Sequence, residues 1–187
     1  LTPYGRRDGW LNRMLGLLPA ADSRAVGIAA AVPLALRGAQ AAANYAPSRL
    51  PGIDEDLMMR LSMLYGADAQ LGPIWQQAVD TKEMAGDIGG NNGRNGTQLG
   101  ALAARLMTGA DGARVMMIET GGWDTHSAQA RRLEVQARGL DALLVALKAG
   151  LGADWASTLV IVATEFGRTA AVNGTGGTDH GTASALF

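Results

Sequence analysis

RVMMIET at Arg114–Thr120 and TLVIVA at Thr158–Ala163 are short, almost continuously apolar runs on either side of a long helical pattern. The first follows a Gly109-Ala110-Asp111-Gly112 turn and is closed by Gly121-Gly122, which predicts a buried strand. Ser127 then opens a helix that reaches Leu151. Leu133, Ala137, Leu140, Leu144, Leu147 and Leu151 recur at spacings of four and three and give it one apolar face. Arg131, Arg138, Asp141 and Lys148 lie mostly off that stripe, and Gly150 and Gly152 stop the helix. The run Thr158–Ala163 predicts a second strand covered on both faces, as in a parallel sheet. Strand, helix and strand in this order form a βαβ unit with a right-handed crossover. The expected fold class is therefore α/β, with residues 111–187 carrying that unit.

Residues 1–110 read as the mainly helical N-terminal part of the same domain. Asp8 is placed to cap a helix through Leu18, with Trp10, Met14, Leu15 and Leu18 on one face. Val26–Val32, closed by Pro33, suits a short buried strand and, being alanine-rich, suits a helix almost as well. Further helices are expected over Asp54–Tyr65, Ile74–Met84 and Thr97–Met107, the last with Leu99, Leu102, Ala103 and Leu106 on one stripe. Gly86–Gly96 reads as a loop; without the Lys-Ser/Thr of a P-loop it is a connection rather than a phosphate cradle. The pairs Met58-Met59 and Met116-Met117 read as core filler, and Trp10, Trp75 and Trp155 as packing anchors.

Composition narrows the function. Of 187 residues, 48% are hydrophobic and 18% charged, which suits a packed globular chain rather than a disordered one. A net charge of −1 lacks the basic footprint of a nucleic-acid binder. No apolar run approaches the ~20 residues of a membrane span. The absence of cysteine excludes disulfides, thiolate nucleophiles and cysteine-ligated zinc. Arg6-Arg7 is followed by Asp8-Gly9-Trp10 instead of the apolar region of an export signal, so the pair reads as surface charge. The chain opens at Leu1 and closes at Phe187 inside an apolar run, as expected of a fragment of a longer protein.

The chemistry gathers where the expected strands end, which is where open α/β sheets bind ligands. The first strand leads into Gly121-Gly122-Trp123-Asp124-Thr125-His126. The second leads into Thr164-Glu165-Phe166-Gly167-Arg168-Thr169, and a third loop carries Asn173-Gly174-Thr175-Gly176-Gly177-Thr178-Asp179-His180-Gly181. Both histidines of the chain lie in these loops, each within two positions of an aspartate. Carboxylate oxygen and imidazole nitrogen are the donors preferred by zinc and manganese. In extended chain Asp124 and His126 point the same way and can share an ion, whereas Asp179 and His180 point apart and can serve two ions or bridge them. Glu165 offers another carboxylate, and Arg168 a forked donor for an anionic substrate. The expected cofactor is thus one or two divalent ions, zinc or manganese. Two ions ~4 Å apart would suit displacement at phosphorus or sulfur in a small anionic ester. Equally, His126 can cap the long helix or bond a backbone carbonyl, and Glu165 and Arg168 can form a surface ion pair.

GGWDTH, TLVIVATEFGRT and NGTGGTDHG, in this order, together with RRDGWLNRML and Pro33–Gly38 (PLALRG), resemble an uncharacterised family of exported bacterial proteins, DUF1501. The likeness covers nearly the whole chain. It implies export to the periplasm and similarity to the alkaline phosphatase and sulfatase superfamily, an α/β/α sandwich with a mainly parallel sheet and a metal-dependent hydrolytic centre. On that resemblance Asp124 and His126 hold one metal, Glu165 sits where the superfamily often has an Asp-His pair after a strand, and Asp179 and His180 compensate for the histidine missing there; cluster and resemblance together make these five the expected metal ligands. Phe166 stands where the superfamily often has a ligating histidine, and only Thr125 separates Asp124 from His126 where three residues are usual. The resemblance supplies no nucleophile from this chain. A hydrolase of phosphate or sulfate esters is the first expectation. A non-catalytic metal-binding or scaffold protein and a phosphomutase-like enzyme are the alternatives.

Overall fold

The computed structural model describes residues 5, 7–19, 22, 24–46, 54–85 and 95–187. A short helix α1 (Trp10–Leu15) precedes strand β1 (Ala25–Ile28), a 3-10 turn (Leu34–Leu36) and strand β2 (Ala43–Tyr45). Helices α2 (Glu55–Gly66), α3 (Leu71–Ala85) and α4 (Gly96–Met107) follow, then β3 (Val115–Ile118) and the long α5 (Gln129–Leu151). A 3-10 segment (Gly152–Ser157) and a hairpin of β4 (Gly167–Arg168) and β5 (His180–Gly181) complete the chain. The expected loop at Gly86–Gly96 falls mostly on residues 86–94, outside the described residues, as does Arg6 of the Arg6-Arg7 pair.

The central sheet is parallel, in the order β2-β1-β3, with Val26 opposite Ala43 and Met116. All four residues of β1 are buried, as a central strand covered on both faces requires. Alternation sorts its side chains. Val26 and Ile28 join Leu99, Leu102, Leu106, Leu143, Leu147 and Leu151 of α4 and α5 in one core, while Ala25 and Val115 join Leu11, Leu15 and Leu36 in another. The protein is therefore mixed α/β, with apolar cover on both sides of a three-stranded sheet. The open reading of Val26–Val32 resolves as strand, ending at Ile28. β2 went unread because a three-residue edge strand carries no periodic signal.

Helices α4 and α5 pack closely because glycines let the backbones meet. A Cβ on Gly96 would strike the Gly139 carbonyl, and one on Gly100 the Leu143 carbonyl. This contact corrects the expected face of α5. Its buried line is Leu143, Leu147 and Leu151, whereas Leu133 and Ala137 are exposed and Leu140 and Leu144 only half-buried. The reason is that α4 meets α5 from Gly139 onward, so among the described residues no helix lies against the first turns of α5. Asp54, the expected first residue of α2, instead caps it by accepting from the Leu57 N–H at 2.7 Å. Asp8 does not cap α1; the N-cap is Gly9, and Asp8 pairs with Arg13. Met59 and Trp10 are exposed rather than core filler and anchor, whereas Met116 and Trp155 do pack on the core.

The second expected strand is also corrected. Thr158–Ala163 is extended but joins no sheet among the described residues; Val162 exchanges two backbone hydrogen bonds with Phe187, and Ala163 bridges Leu186. Val160 and Val162 turn inward beside Leu144 and Trp155, while Leu159 is 83% and Ile161 51% exposed. The run is apolar on both faces but covered on one, so the βαβ crossover is not closed. The edge of β3 away from β1 is likewise unpaired among the described strands.

Candidate metal centre

The loop after β3 leaves the sheet at its carboxyl end. Thr125 is buried and its carbonyl accepts from Thr178 N–H, so the alternating Asp124 and His126 project to the same outer side. The loop of residues 173–177 clasps this segment from behind. Thr175 Oγ1 and Asn173 Nδ2 both donate to the His126 carbonyl, at 2.7 and 3.0 Å. Gly177 passes so close to the His126 backbone that a Cβ there would collide with it. The same loop satisfies the start of α5: the Thr175 and Gly176 carbonyls accept from the Ala128 and Gln129 N–H groups. Ala128 turns into the helix at φ 46°, in the left-handed region that L side chains rarely adopt. The hairpin supplies the remaining groups, since Arg168 and His180 are direct cross-strand partners in the β4–β5 ladder.

Asp124, His126 and His180 each offer one donor atom, and these atoms all lie within 4.8 Å of one another. His126 Nε2 is 2.9 Å and His180 Nε2 3.1 Å from the same Asp124 oxygen, Oδ1. Ligands bound at ~2.0–2.1 Å around a tetrahedral ion are separated by about 3.3 Å, so these spacings fit one zinc-sized ion. Asp179 lies on the far side of His126, its Oδ1 3.2 Å from Nδ1 and 3.0 Å from Asn173 Nδ2. With Nδ1–H given to Asp179, His126 Nε2 keeps its lone pair and aims it at the space beside Asp124. This is the carboxylate–histidine arrangement that orients metal-ligating imidazoles. The imidazole rings of His126 and His180 stack at 5.0 Å, and Phe166 stacks on His180 at 5.2 Å.

Arg168 closes the cluster. Its Nη2 donates to Asp124 Oδ1, its Nη1 donates to the Thr178 carbonyl at 2.7 Å, and its guanidinium lies 4.8 Å over the Phe166 ring. The Asp124 carboxyl is held below its ordinary value, chiefly by the hydrogen bond from His180 and then by Arg168. The Asp179 carboxyl is lowered chiefly by Asn173, with His126 adding to it. Both carboxylates thus stay anionic, as ligation and imidazole support require.

Of the sequence-predicted residues, Asp124, His126 and His180 come together as donors and Asp179 stands behind His126. Glu165 is exposed and makes no side-chain hydrogen bond or ion pair among the described residues. The donor set fits one ion rather than two. Sequence reasoning missed Asn173 and Thr175 as supports and Phe166 as the platform for His180 and Arg168. The Asn-Gly-Thr-Gly-Gly turn signature was the available signal for the first two; nothing local in the sequence marks Phe166.

Comparison with known proteins gives a match to the family described as a protein of unknown function (DUF1501), over residues 2–187. No curated protein and no solved structure matches the chain. Among the described residues, no helix is long and apolar enough to cross a membrane.

Proposed function

We propose that this chain, which belongs to the DUF1501 family of proteins of unknown function, carries the metal centre of a hydrolase acting on phosphate or sulfate esters. The observation that carries the reading is the convergence of donor atoms of Asp124, His126 and His180 within 4.8 Å, both histidine Nε2 atoms facing Asp124 Oδ1, with Asp179 set behind His126. Three protein donors leave a coordination position open, the pattern of catalytic rather than structural sites. An ion held there would supply Lewis-acid polarisation of an ester oxygen and an activated water. Asp124, His126 and His180 hold and orient, Asp179 fixes the imidazole of His126, and Arg168 offers a forked donor to the anionic group of the ester. The parallel sheet with cover on both faces, and a site at the carboxyl end of β3, support placing the fold near the alkaline phosphatase and sulfatase superfamily.

The test is hydrolysis of a panel of phosphate and sulfate esters by the purified protein. The reading predicts a rate abolished by chelator and lowered about 100-fold or more by Asp124→Ala. A rate indifferent to both would refute it. A second reading follows from the way the cluster ties three loops together: a metal-stabilised binding or scaffold protein. It predicts an ion that raises the unfolding temperature with no turnover of any ester.

A further inference from the structure

We infer that Arg168 is the resident cation of the metal-free site, and that a divalent ion enters by displacing its guanidinium from Asp124. The inference rests on the metal reading above and concerns what limits the site's affinity. Asp124 Oδ1, the oxygen on which both histidine Nε2 atoms converge, also accepts from Arg168 Nη2. Arg168 Nη1 lies 3.4 Å from His126 Nε2. One guanidinium therefore covers two of the three donor atoms at once.

A guanidinium has five N–H donors, no lone pair and a permanent positive charge. It cannot join a coordination sphere, and its charge opposes a second cation at the same place. In the metal-free chain the same charge is useful, because it neutralises Asp124 where two imidazoles and a carboxylate crowd together. The side chain also has somewhere to stand once displaced. Its bond to the Thr178 carbonyl, at 2.7 Å, and its stack on Phe166 are both independent of Asp124. Its Nε is buried without a hydrogen-bond partner, so no bond from the stem resists a turn of the head. Displacement frees Nη2 from Asp124. Metal loading and release of the Nη2 donor are then a single event.

The experiment is a calorimetric zinc titration of the wild-type protein, Arg168→Met, Arg168→Lys and His126→Ala, each checked for folding by circular dichroism. Removing the competing charge tightens zinc binding by about tenfold or more in Arg168→Met. Arg168→Lys keeps the charge but loses the two-atom reach of the fork, and falls between Arg168→Met and wild type. His126→Ala loses the zinc. Zinc bound by wild type but held no tighter by a folded Arg168→Met overturns the inference and leaves the metal reading standing. If Arg168→Met does not fold, Arg168→Lys decides, and an affinity equal to wild type overturns the inference. Zinc bound by neither wild type nor the arginine variants overturns the metal reading itself. Zinc bound by Arg168→Met alone supports the inference in its strongest form.

Discussion

His126 shows how much support one ligand receives. Its backbone carbonyl is gripped by Thr175 and Asn173, its Nδ1 faces Asp179, and its Nε2 faces Asp124. Removing a group that acts through His126 should therefore weaken metal binding without removing a donor. Asp179→Asn and Asn173→Ala are each expected to lower metal affinity about 10- to 100-fold. Glu165→Gln is expected to leave it unchanged. A zinc titration of the three variants checks this, and an effect of Glu165→Gln equal to that of Asp179→Asn would contradict the assignment. The residues of this site were legible in the sequence because Asp and His at i and i+2 share a side wherever the chain is extended. Their ranking was not legible. Asp179 and Glu165 look equivalent as acids near a strand end, and only the clasp of residues 173–177 onto His126 separates a supporting carboxylate from a free one.

At the scale of elements, caps and close contacts make quantitative claims. Asn95 accepts from the Thr97 N–H at 3.0 Å and starts α4, so Asn95→Ala should cost about 1 kcal/mol in chemical denaturation. Gly100 meets the backbone of α5 without room for a side chain. Gly100→Val forces the helices apart and should cost about 1–3 kcal/mol or more. Gly139, where a Cβ would meet nothing, tolerates alanine. Asp68 accepts from the Leu71 and Gln70 N–H groups at the start of α3, and these bonds lower its carboxyl. A lowered carboxyl favours the folded state while it is ionised. That contribution is whole above the unfolded value, near 3.8, and is lost as pH falls through the lower folded value. The Asp68 carboxyl should therefore titrate below pH 3.8 when followed by NMR, and Asp68→Asn should remove that dependence; a midpoint at or above 3.8 would contradict the cap.

On the scale of the whole molecule, the helices followed from periodicity and β3 from an apolar run between turn signals, whereas Val26–Val32 stood open between strand and helix until alternation along β1 sorted its side chains into two cores. Thr158–Ala163 did not follow, because an apolar run states what a segment could bury and not whether a partner lies beside it. The helix expected from Ser127 likewise starts two residues later, at Gln129, because Ser127 bridges Gly176, and which leucines of α5 are buried depends on where α4 crosses. The open face makes its own prediction. Leu159→Lys and Ile161→Lys should each change stability by no more than about 0.5 kcal/mol, as surface positions do. Val160→Lys, beside Trp155 and α5, should destabilise by several times that amount. Equal large losses at all three positions would mean that this run is buried on both faces.

The proposed chemistry of the site depends on a metal ion. The direct measurement is metal content by elemental mass spectrometry on protein purified with neither chelator nor added metal, with His126→Ala and His180→Ala prepared alongside. The account predicts about one zinc or manganese ion per chain in the wild type, consistent with three donors and an open position, and none in either variant. No transition metal in repeated wild-type preparations would contradict it, leaving Asp124 as the anion of a hydrogen-bonded network that ties three loops together.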